Sequence, residues 1–114
     1  MALDIDLLMM DMKNAASRII NQDVSELRGF SDRQLKALAK QADLIAAGVI
    51  SGDIEEDLRD FFLDSLEDMT LNFAKTLRGL VMVTIEKVWN AVVGVLWDAI
   101  SSVTGIQLTA PAAN

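Results

Sequence analysis

The 114-residue chain has no cysteine, no histidine and no tyrosine, and a single proline. Without cysteine there is no disulfide, no thiolate nucleophile and no reading of the redox compartment. Without histidine the imidazole general bases, His-containing triads and the usual zinc and di-iron ligand sets are excluded. Basic residues are also few, ten against seventeen acidic ones, for a net charge of −7. A chain of that sign is a poor binder of phosphate backbones, so nucleic acid is not an expected partner. Neither a glycine-rich phosphate loop nor a nucleophile elbow is present. No catalytic residue, cofactor or metal site is therefore assigned, and the expectation is that the protein is not an enzyme.

Long uncharged runs are missing too. The most apolar stretch, residues 79–106, is interrupted by Glu86, Lys87 and Asp98, so it falls short of the roughly 18 uncharged apolar residues of a lone spanning helix. The first eleven residues carry Asp4, Asp6 and Asp11, whereas a secretory signal has a basic start and an unbroken apolar core, so no signal peptide is read. What the chain does have is apolar content: hydrophobic residues make up 52% of it, and the mean hydropathy is +0.31. The length suits one domain spanning 1–114.

Apolar residues recur at steps of three and four, which predicts an all-α fold. Ile5, Leu8, Met12, Ala15 and Ile19 make one stripe on a first helix over about 3–21. Residues 21–30 lose the stripe and read as a connection with room for one helical turn. Ser31 and Gln34 form a capping-box pattern, with Phe30 placed to staple onto the first turn. The second helix buries Leu35, Leu38, Ala42, Ile45 and Val49, presents Arg33, Lys36, Lys40 and Asp43, and ends at Gly52. These two helices make up 1–52.

Asp53 and Glu56 offer a second cap pattern. From Leu58 to Ile106 the apolar stripe then continues at about 3.7 residues per step. The expectation is one long C-terminal helix over about 53–104, within a 53–106 oligomerising segment and followed by a 107–114 tail that Pro111 keeps out of the helix. Unbroken, it would extend about 75 Å, with Gly79 and Gly94 as weak points. Two short helices cannot cover such a rod. Beyond residue 80 the apolar arc widens to take in Trp89 and Trp97, so the surface calls for a partner, and like copies around a symmetry axis are the simplest one. The expected interface between copies is Val81, Ile85, Val88, Trp89, Val92, Leu96, Trp97, Ala99 and Val103, in an oligomeric helical bundle.

Other features have plainer readings. Asp53, Asp57, Asp60, Asp64 and Asp68 recur along one edge of a helix and read as a solvated face, relieved in part by Arg59 and Lys75; a helix cannot wrap a calcium ion as a loop does. Met9, Met10 and Met12 suit core filling or an adaptable contact surface.

Two stretches within Ser31 to Trp97, Ser31-Asp32-Arg33-Gln34-Leu35-Lys36-Ala37-Leu38 running through Ile45-Ala46-Ala47-Gly48, and Asp60-Phe61-Phe62-Leu63-Asp64-Ser65-Leu66-Glu67-Asp68-Met69, resemble small helical proteins encoded in the structural-gene modules of tailed phages and prophages. The resemblance covers about half the chain and carries over no functional residue. It implies a virion or assembly component of the tail or head–tail junction, present in several copies, meeting other virion proteins, and located in the virion or in the host cytoplasm during assembly; outside a phage context the expectation is simply cytoplasmic. The leading expectation is thus a non-enzymatic structural protein that self-associates. The alternatives are a membrane-active helical oligomer of the lysis or genome-delivery type, and an acidic inhibitor or DNA mimic.

Overall fold

A computed structural model describes residues 2–111. It contains α1 (Ile5–Ile20), a 3₁₀ turn (Val24–Glu26), α2 (Arg33–Ser51), α3 (Glu56–Leu80) and α4 (Ile85–Thr104). No strand is present among the described residues.

The first two helices lie where the apolar spacing puts them, but their caps differ in detail. Asp4 caps α1, its side chain accepting from the Leu7 amide. At α2 the Ser31 hydroxyl accepts from the Arg33 amide rather than from the third amide of the helix. Gln34 does not reach back to complete a box; its amide donates to Thr76 Oγ1 on α3 instead. Phe30 is partly buried against the core, as a staple would be. Gly52 ends α2 at φ +84°, a left-handed conformation that suits glycine. The expected Asp53 cap is absent: Glu55 precedes α3 without a side-chain bond, while the Ile54 amide donates back to the Gly48 carbonyl.

The long helix does not form. It is two helices, α3 and α4, separated at residues 81–84. Val81 is extended at φ −151°, ψ 154°, and Thr84 caps α4, its hydroxyl accepting from the Lys87 amide at 3.3 Å. The local cause is a run of β-branched residues, Val81, Val83, Thr84 and Ile85, which lose side-chain freedom in a helix. The larger cause is burial, because folding back gives the apolar faces of α4 three helices to pack against. The Cα radius of gyration, 13.7 Å, is close to the about 13 Å expected of a compact domain of this length. Neither Gly79 nor Gly94 breaks its helix.

The helices alternate in direction. Asp43 on α2 accepts from the Ala2 and Leu3 amides at one end of α1, while Lys13 pairs with Asp32 nearer the other. Gln34 at the start of α2 meets Thr76 late in α3. Around the bundle α1 contacts α2 and α4, α3 contacts the same two, and α2 also touches α4 across the middle. One core runs through all four helices, with Met12, Leu35, Leu38, Ile45, Leu66, Phe73, Leu77, Val92 and Leu96 fully buried. Of the three clustered methionines, Met12 is core, Met9 is partly buried against it, and Met10 is exposed. Thr70, the one buried polar residue described, donates its hydroxyl proton to the Leu66 carbonyl within its own helix.

Two glycines inside helices behave oppositely. A Cβ on Gly94 would meet nothing within 4 Å, whereas one on Gly48 would lie 2.5 Å from Ile54 Cδ1 and 2.6 Å from its Cγ1. Gly94→Ala is expected to stabilise by about 0.5–1 kcal/mol through helix propensity. Gly48→Ala gains the same propensity but is expected to lose stability overall, since overpacking costs about 1–3 kcal/mol. Thermal melts of the two variants, moving in opposite directions from the parent, check this.

Candidate interaction surfaces

The residues expected to join copies are mostly inside a single copy. Val88, Trp89, Val92, Leu96 and Trp97 are buried in the core, and Ile85, Ala99 and Val81 are partly buried against it. Only Val103, 37% accessible, is exposed. The apolar arc assigned by spacing to another copy meets α1, α2 and α3 instead. Trp89 is further covered by the segment after α4. Gly105 turns the chain at φ +74°, the Leu108 amide donates to Ser101 Oγ, and the Trp89 indole N–H donates to the Pro111 carbonyl at 3.2 Å. Of the 107–114 tail, residues 112–114 lie outside the described residues.

The acidic residues of α3 stay in or near solvent, with no group of three or more carboxylates placed to hold a metal ion among the described residues. Arg59 gives the ridge no ion pair, and its Nε is buried without a hydrogen-bond partner. Within the ridge, partial burial holds the Glu67 carboxyl above the ordinary glutamate range, helped by a hydrogen bond with Asp64 and by the charges of Asp64, Asp68 and Asp60. The native state thus holds that proton more tightly than the unfolded chain, and the associated stability is lost as pH rises through the raised value. Glu67→Gln is expected to gain roughly a few tenths of a kcal/mol at neutral pH, after solvent screening. The gain should vanish below the ordinary carboxylate range, which melts at neutral and acid pH will show. Asp23, at the 3₁₀ turn, is shifted the other way by hydrogen bonds from the Ser25 hydroxyl and amide.

Alternating helix directions bring separated parts of the sequence to common ends. The starts of α1 and α3 and the finishes of α2 and α4 share one end, which gathers Asp4, Asp6, Asp53, Glu55, Glu56, Asp57, Asp60 and Asp64. All the basic residues except Arg59 lie in the opposite half, including Arg28, Arg33, Lys36, Lys75, Arg78 and Lys87. Asp23, Glu26, Asp32 and Glu86 are the acids in that half, and Asp32 is matched by Lys13 at 2.9 Å. This is the only ion pair among the described residues.

Large apolar side chains are exposed at these ends as well. Leu44, Ile50, Leu58 and Phe61 stand on the acidic half, Phe61 with 69% of its surface accessible. Met82 is fully accessible in the α3–α4 connection at the basic end. Beside it lies an open cavity of about 480 Å³ lined by Ile19, Val81, Met82, Val83, Thr84, Arg78 and Lys87. Sequence reasoning missed Phe61 and this cavity. Phe61 lies off the apolar stripe with Asp57 four residues before and Asp64 three residues after it, a signal that was available; the cavity exists only because the chain turns at 81–84.

No described helix is long and apolar enough to cross a membrane. Comparisons with protein-family models, with curated proteins and with solved structures find nothing that matches this chain.

Proposed function

We propose that the protein is a non-enzymatic assembly component, a helical block that self-associates through its ends. The observation that supports this most strongly is the separation of charge along the bundle, with exposed apolar side chains at both poles. Opposed fields of this kind steer encounter and set orientation between molecules. An isolated copy leaves them facing water. Self-association through α4, the route expected from the apolar stripe, is replaced by association through the poles, because α4 is occupied within its own bundle. In a virion such a block suits a tail or head–tail position; the support for that setting is the likeness of residues 31–38 and 60–69 to phage structural-module proteins.

Mass measured by light scattering across a concentration series tests the proposal. The expected result is a mass above the 12.5 kDa of one chain, growing with concentration. Raising salt from about 0.1 M to about 1 M shortens the Debye length from about 10 Å to about 3 Å, and should reduce that mass. A single-chain mass throughout would remove the proposal.

A further inference from the structure

Resting on that reading, we infer that the contact is head-to-tail: Phe61 of one copy enters the cavity beside the α3–α4 connection of the next. The two surfaces match in three respects. Phe61 projects as an aromatic knob, 69% accessible, and the receiving cavity of about 480 Å³ has Ile19, Val81, Met82 and Val83 in its wall. A volume of this size falls among ligand-sized clefts, about 300–1,000 Å³, so a benzyl side chain fits. Asp57 and Asp64 flank Phe61 one helical turn to either side, and Arg78 and Lys87 line the cavity. An aromatic anchor inside a rim of opposite charges is the pattern of an interface hot spot, in which the ring supplies burial and the charges supply register.

A copy cannot fill its own cavity. Phe61 and Val81 stand at opposite ends of α3, about 30 Å apart at 1.5 Å per residue. The two surfaces are also different patches, so the contact is heterologous. Each copy that docks its Phe61 leaves its own cavity open to another, and repetition gives a ring if the rotation closes or a filament if it does not. This polarity distinguishes the inference from a two-fold dimer, in which one patch meets itself. A second copy of the chain is favoured as occupant because the complementary surface, both its ring and its charges, is present on the same molecule.

Two variants that each disable one surface test it. Phe61→Asp removes the knob, and Arg78→Glu with Lys87→Glu reverses the rim of the cavity. All three positions are exposed, so each variant is expected to keep the parent helicity, which far-UV circular dichroism checks. Each variant alone is expected to have the mass of a single chain at concentrations where the parent assembles. Mixed in equal amounts they are expected to give a dimer and nothing larger, since the mixture holds one intact knob and one intact cavity per pair. A parent that assembles alongside variants that assemble equally well, or variants that stay single when mixed, would overturn the head-to-tail contact and leave self-association standing. A parent that is a single chain at every concentration would overturn both.

Discussion

Val92→Asp is expected to unfold the protein. Val92 is fully buried at the middle of α4, and no basic residue of α4 lies nearer than Lys87 at its start. An uncompensated carboxylate in such a place costs about 3–5 kcal/mol or more, a large share of the about 5–15 kcal/mol that holds a domain of ordinary stability. The expected readout is loss of the cooperative thermal transition together with loss of helical circular dichroism. The apolar stripe read as a continuous rod gives another outcome. There Val92 would line a seam between copies, and the aspartate would release folded single chains with their helicity intact. Gel filtration coupled to circular dichroism separates the two cases in one preparation.

Phe73→Ala is expected to have the next largest effect. Phe73 is the largest of the fully buried side chains. It sits on the core face of α3 between Leu66 and Leu77, which are also buried. Truncation removes the ring and leaves a cavity that rigid neighbouring helices can only partly close, at a cost of about 3–5 kcal/mol. For a chain of this length that corresponds to a fall in Tm of roughly 10–20 °C. Unlike the aspartate it introduces no charge, so the variant should still unfold cooperatively and remain helical at low temperature. A loss below about 1 kcal/mol would mean that Phe73 is not in a close-packed core.

Much of the fold was legible because local chemistry and periodicity agreed. The stripe of Leu8, Met12, Ala15 and Ile19, the punctuation at Gly52 and the end of the last helix at about residue 104 all correspond to features of the structure. The break between α3 and α4 was hidden by phase. Leu77, Val81 and Ile85 are spaced by four residues, and a connection of residues 81–84 is close to one helical turn long, so the apolar pattern crosses it in register. The clue lay in the width of the arc. Val93, Trp89 and Trp97 lie off the main stripe because α4 packs against all three other helices, and a wide arc of this kind is the mark of a central helix as well as of an oligomer seam. Thr84, with β-branched residues around it and Glu86 in the turn that follows, is the cap that periodicity overrode.

The polar surfaces were less legible than the core. Asp57, Asp60 and Asp64 were visible as a ridge, but their counterpart is assembled from the finish of α3, the start of α4 and the loop before α2. Only the direction of each helix decides that these segments share an end. Asp43 shows the same limit in miniature: it belongs to the outward face by spacing, yet it accepts from the Ala2 and Leu3 amides and ties the start of the chain to α2.

Hydrogen exchange followed across a concentration series tests the central claim, that α4 closes the bundle of each copy while association uses the poles. The prediction is that α4 amides are protected to the same degree in dilute and concentrated solution, while protection around Phe61 and around residues 81–87 grows with concentration. Protection that rises along α4 and leaves those two regions unchanged would contradict it.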